Sequence, residues 1–157
     1  DIARMQEVEL TTEFCLMMID KSVQGKSKAR IDKAYESYDE NFPGRVELEN
    51  RFRVVMDTIA EKFGNDFSHS PFSKKTVIYS IFTAFYDLLF DIESDLKKAK
   101  ANSISPEQIA AIKLTGERIQ KGTAAADILE AASRRTTNPK ERKILTKYIL
   151  QAAKSAK

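Results

Sequence analysis

The chain has one cysteine, one histidine, no tryptophan, five glycines and four prolines in 157 residues. Each scarcity removes a class of explanation. A lone Cys15 cannot close an intrachain disulfide, and between Phe14 and Leu16-Met17 it reads as a buried, inert thiol, which fits a cytoplasmic chain. A single histidine, His69, excludes histidine metal clusters and leaves any Ser-His or Cys-His arrangement dependent on that one residue. It stands in the polar loop Ser68-His69-Ser70-Pro71, where an exposed loop side chain is expected. There is no glycine-rich phosphate loop, no Cys-x-x-Cys pair and no His-Glu-x-x-His. With glycine and proline scarce and charges interspersed, the class is all-α with short connections. The first residues, Asp1-Ile2-Ala3-Arg4, are charged and carry neither a signal peptide nor an initiator Met, so a processed chain or, preferably, an excised fragment of a longer protein is expected.

What is present is organised around residues 73–92, SKKTVIYSIFTAFYDLLFDI, the one stretch apolar on nearly all sides. At helical spacing Val77, Ile81, Phe85 and Leu88 form one ridge, Ile78, Phe82, Tyr86 and Leu89 the next, and Tyr79 and Phe90 the flank. A surface that wide cannot face water. The rival reading, a membrane span, fails because the dense run is shorter than the roughly 20 residues a bilayer requires and carries Ser80, Thr83, Asp87 and Asp91. The expectation is an irregular multi-helix bundle around this helix. A chain of this length forms one domain burying about 68–70% of its unfolded surface, so neither metal nor disulfide is required. A subdivision into a core bundle, 1–100, and C-terminal helices, 103–157, is left open.

In chain order, residues 3–22 read as a first helix with Met5, Val8, Thr12, Cys15, Leu16 and Ile19 inward and Arg4, Glu7, Glu13 and Asp20 outward. A short helix follows from about Arg30 to Asn41. The third, Arg45 to Phe63, shows Leu48, Phe52, Val55, Met56, Ile59 and Phe63 in an i, i+3, i+4 pattern and ends at Gly64. Ser70 or Ser73 could cap the central helix, and Glu93 to Asn102 reads as its exposed continuation. Ser105-Pro106-Glu107-Gln108 is a strong start signal, leading into a seam of Ile109, Ile112 and Ile119. Ala124 to Arg134 is a short helix. Asn138-Pro139-Lys140-Glu141 then starts a last one, burying Ile144, Leu145, Tyr148, Ile149 and Ala152.

Three groupings could carry chemistry. Asp87 and Asp91, four apart, share a helix side as a cation site or acid/base pair requires, but two carboxylates with no third ligand make a poor metal site, and solvent or a basic neighbour accounts for them. Lys74 and Lys75 fall where a helix N-terminus favours anions, so a bound phosphate would resolve the conflict; left exposed, they cost only a few tenths of a kcal/mol. The last grouping runs from Arg134-Arg135 through Thr136-Thr137-Asn138-Pro139 to Lys140, Arg142 and Lys143. From Arg134 to Lys157 eight basic residues face one acid, Glu141, for a charge of +7, against −4 for the rest of the chain. Such asymmetry calls for an acidic partner, nucleic-acid backbone or a protein surface, although no aromatic residue interrupts the cluster to stack bases.

Several of these residues together resemble a known family. Arg4-Met5 with Glu9-Leu10, the Tyr35–Phe42 run YESYDENF, Phe63-Gly64 with Phe67, Lys74-Lys75 followed by YSIFTAFYDLLF, and the Arg134–Arg142 run are similar to the helical C-terminal half of GmrSD-type, ParB-like proteins of bacterial DNA defence. In that family an upstream ParB-like half bears an Asp-Gly-Gln-Gln-Arg type signature, associated with nucleotide binding or hydrolysis that controls restriction of modified phage DNA. This chain contains neither that signature nor an HNH-type nuclease half, so no catalytic residue is carried over. The resemblance implies a non-catalytic helical module beside the ParB-like half, with nucleotide bound there, DNA contact through the Arg134 cluster, and homodimerisation where apolar faces stay open. The alternative is a stand-alone protein-interaction module with a basic C-terminal surface. An independently acting enzyme comes third.

Overall fold

The computed structural model describes residues 2–37, 42–133 and 138–156, apart from the side chains of residues 2–6, 35 and 37. Within these residues the chain forms seven α-helices and no strand: α1 Ile2–Asp20, α2 Lys28–Ser37, α3 Arg45–Phe63, α4 Ile78–Phe90, α5 Pro106–Lys121, α6 Ala126–Ser133 and α7 Pro139–Ser155. Two 3-10 turns, Gly64–His69 and Pro71–Ser73, connect α3 to α4. No described helix is long and apolar enough to cross a membrane.

The all-round apolar pattern of the central stretch places α4 inside the bundle. Residues 79–86 are buried without interruption, Ser80 and Thr83 included, together with Leu89 and Phe90. Phe14 of α1 stacks flat on Phe82, ring centroids 3.9 Å apart, and Phe52 and Phe63 of α3 bring further rings to Phe82 and Phe85. Leu145, Ile149 and Ala153 of α7 are fully buried against the same core, joined by Ile109 and Ile112 of α5. Gly116 marks where α5 comes closest: a methyl group there would lie 2.8 Å from the Phe72 ring.

The central helix is shorter than its apolar run. Lys74 is extended, so α4 begins at Ile78, and neither serine caps it. Ser70 donates instead to the Phe67 carbonyl, and Ser73 to the Ser68 and Ser70 carbonyls. At the other end Asp91 turns the chain with φ 71° and ψ 118°, outside the regions that residues with a side chain ordinarily adopt. The segment after it, expected as helix, is an irregular strap laid across α3.

Two helix faces are also rotated from expectation. In α1, Glu13, Phe14, Leu16, Met17 and Met18 are buried, whereas Val8 is exposed and Thr12, Cys15 and Ile19 are half-buried. The reason is that α1 is covered on two sides, by α4 and by α2, whose Ile31 and Ala34 form a satellite cluster with Leu16. In α3 the buried line is Leu48, Arg51, Val55, Ile59 and Phe63, with Met56 exposed. The start of α5 is as expected: Ser105 and Gln108 form a reciprocal capping box with Pro106 at the first turn, and Gly122 ends the helix in the left-handed region. Gly64 closes α3 as expected, its N–H bonded to the Ala60 carbonyl, but at φ 55° and ψ −139°, outside the left-handed helical region and open to glycine.

Candidate partner-binding face and the buried charges behind it

The sequence-selected basic residues separate into an inward and an outward group. Arg134 and Arg135 lie outside the described residues. Arg142 is buried, because its position falls on the apolar stripe of α7 in register with Leu145, Thr146, Ile149 and Ala153. Its guanidinium donates to Glu13 Oε1 at 2.8 Å and to the Gln24 carbonyl at 2.9 Å, and lies over the Tyr79 ring with 3.9 Å to the centroid. Tyr79 in turn accepts from the Gln24 backbone N–H at 2.8 Å. Burial pushes the Tyr79 phenol up to about 12, against the opposing effects of that hydrogen bond and of the Arg142 charge. Arg142 is therefore committed to the interior and withdrawn from any phosphate contact.

A second buried arginine, which the periodicity reading passed over, sits in α3. Arg51 donates to Glu47, to the Tyr86 hydroxyl, to Ser94 Oγ and to the carbonyls of Asp95 and Lys97, with Phe90 beneath its guanidinium. These bonds hold the strap from Ser94 to Lys97 onto the bundle. The signal was present in both helices: each arginine stands where an apolar residue would complete the stripe. Among the described residues no buried side-chain polar atom lacks a hydrogen-bond partner.

The carboxylate pair is occupied with local structure. Asp87 Oδ1 accepts the Ile92 N–H and Asp91 Oδ1 the Glu93 N–H, so both shape the end of α4; Asp87 also faces Lys154 at 4.0 Å. Among the described residues no group of three His, Cys, Asp or Glu side chains could hold a metal ion. His69 is exposed at the end of the first 3-10 turn. Cys15 is half-buried, and burial, reinforced by the charge of Glu49, pushes its thiol up to about 11, the opposite of an activated nucleophile.

The outward group converges. Thr76 donates to the Ala132 carbonyl at 2.6 Å, setting the Lys74-Lys75 turn beside the end of α6, and Ser80 donates to the Arg142 carbonyl, setting the start of α4 beside the start of α7. Lys74, Lys75, Lys140 and Lys143, all exposed, thus gather at one end of the bundle. Farther along α7, Lys143 and Lys147 have no ion-pair partner among the described residues, whereas Lys21, Lys26, Arg30 and Arg45 each face a carboxylate. A shallow groove of about 870 Å³ at the start of α3 is of mixed charge, with Arg45, Arg53 and Lys98 beside Glu47 and Glu49. A second groove, of about 530 Å³, follows α7.

Set against protein-family models, curated proteins and solved structures, the chain matches none of them.

Proposed function

We propose that this chain is a non-catalytic helical module of a GmrSD-type, ParB-like DNA-defence protein, supporting the upstream nucleotide-dependent half and meeting the DNA backbone at the basic end of the bundle. Nucleotide chemistry and strand cleavage belong, on this reading, to other parts of the protein. The observation that carries it is the gathering of the exposed Lys74, Lys75, Lys140 and Lys143 at one end. Four exposed lysines with no interleaved aromatic suit phosphate contacts that ignore base sequence. The resemblance set out above supplies the identity of the acidic partner. Its quoted aromatic residues Phe63, Phe85 and Phe90 are buried, so they serve packing and leave recognition to the charged end.

Fluorescence anisotropy of a labelled DNA duplex at about 50 and 200 mM salt tests this. Binding should fall steeply with salt and weaken when Lys140→Glu is combined with Lys143→Glu. Arg142 is unsuitable for this test because its removal would disturb the interior. No binding at low salt would reject the DNA contact and leave the protein-interaction reading, which the groove along α7 independently favours.

A further inference from the structure

The groove along α7 shares Lys143 with the basic end, extends beyond it and is built differently. Its floor is apolar: Val23, from the turn after α1, Ile92, from the turn after α4, and Leu150 of α7 are each packed on the core on one side and half-exposed on the other. Its rim is cationic, with Lys143, Lys147 and Lys154 on one edge of α7. Among the described residues the one carboxylate in the lining, Asp87, already accepts the Ile92 N–H and faces Lys154 at a loose 4.0 Å. Three lysines against one engaged aspartate leave the rim in cationic excess over an apolar floor.

We infer that this groove is a docking site for an acidic amphipathic protein segment, one that seats aliphatic side chains on Val23, Ile92 and Leu150 and sets its carboxylates against the lysine rim. The charge complementarity selects the sign of the partner. The floor selects its class, because a phosphate backbone offers nothing to three half-exposed aliphatic side chains, whereas an amphipathic helix buries an apolar stripe and carries its charge at the edges. The spacing agrees. Lys143 to Lys154 covers about 17 Å of helix axis at 1.5 Å per residue, the length of about three helical turns of a partner. Lys147 sits at the middle of the rim with no competing carboxylate among the described residues, so a partner need not displace an existing ion pair there.

The site goes beyond the DNA-contacting role and stands or falls separately from it. The probe is a fluorescein-labelled peptide of about twelve residues with leucines on one helical face and glutamates on the other, titrated with the whole chain. Binding should weaken at least tenfold in the Lys147→Glu, Lys154→Glu variant and should persist in a Lys74→Glu, Lys140→Glu variant, neither residue of which lines the groove, even where duplex binding is lost. A matching peptide with serine in place of leucine should bind at least tenfold more weakly. The proposal is overturned if the leucine peptide does not bind at low salt. It is equally overturned if the serine peptide binds as well, or if Lys147→Glu with Lys154→Glu removes duplex binding and leaves peptide binding intact, which would make the groove a nucleic-acid surface.

Discussion

Arg51 and Arg142 are each almost fully buried, at 1% and 5% exposure, and each lies under or over an aromatic ring, yet they do different work. Arg51 pairs with Glu47 one turn away on its own helix and aims most of its remaining donors at the strap from Ser94 to Lys97. Arg142 pairs with Glu13, 129 residues away, and so ties the last helix to the first across Tyr79 of the central one. Arg51 pins a loop, whereas Arg142 closes the chain. The difference lies in what happens when the cation is lost. A strap can lift and let water reach its carbonyls, but Glu13, pressed between α1 and α7, has nowhere to be rehydrated without parting two core helices.

The largest effect should therefore come from Arg142→Ala, which strands the Glu13 carboxylate in the interior. A loss of about 3–5 kcal/mol is expected from the urea midpoint. Replacing both partners, Glu13→Met with Arg142→Met, should recover most of that loss, since an apolar pair avoids the desolvation that the ion pair must offset. If the double variant is as unstable as the single one, the contact of Arg142 with Tyr79 and the Gln24 carbonyl outweighs the pairing. Arg51→Ala should cost less, about 2–3 kcal/mol, and its signature should be local. Amide hydrogen exchange should accelerate through residues 94–97 more than in α7. Uniform acceleration across the bundle would erase the distinction between the two arginines.

Both arginines show how far the sequence could be read. The all-α class, the boundaries of α3 and the capped start of α5 were legible because they depend on local chemistry: apolar spacing, Gly64, and the Ser105–Gln108 box. The central position of residues 78–90 was legible because a helix apolar on every side has only one place to go. The buried face of α1 was not, since Glu13 looks like an outward residue until its partner on α7 is known, and a pairing across 129 residues leaves no local trace. For the same reason Arg142 read as part of a surface cluster, although its register with Leu145 and Ile149 placed it on the inner stripe. The strap after α4 read as helix because its charged composition suits an exposed helix end. Asp91 at positive φ and the pull of Arg51 on backbone carbonyls decide otherwise. Of the basic end, the residue types were legible and their meeting was not, because it depends on the bonds from Thr76 to Ala132 and from Ser80 to Arg142.

A smaller effect separates the ring from the charge in the Arg142 region. Tyr79→Phe keeps the aromatic face under the guanidinium and removes the hydroxyl that accepts the Gln24 N–H, so about 1 kcal/mol should be lost at neutral pH. The phenol of the folded protein titrates near 12, against about 10 when unfolded, so between those values the folded state keeps a proton that the unfolded state has released. Stability of the parent protein should then fall as pH rises through that window, a loss the phenylalanine variant lacks through this group. The gap between the two urea midpoints should narrow from pH 9 to pH 11. A constant gap would mean that the hydroxyl is open to solvent.

The smallest effect concerns the outside of the strap. Lys21 and the Asp95 carboxylate form an ion pair there, with both side chains well exposed, and the bond to Lys21 holds the Asp95 carboxyl below the usual aspartate range. Arg51 grips the same residue from within, by its backbone carbonyl. Lys21→Gln should release the Asp95 carboxyl to titrate at higher pH, readable in an NMR titration, while the urea midpoint stays unchanged within error, because an exposed pair exchanges one well-hydrated arrangement for another. A midpoint shift as large as that of Arg51→Ala would reverse the assignment, making the strap a structure held from the solvent side with the buried arginine merely filling the space beneath it.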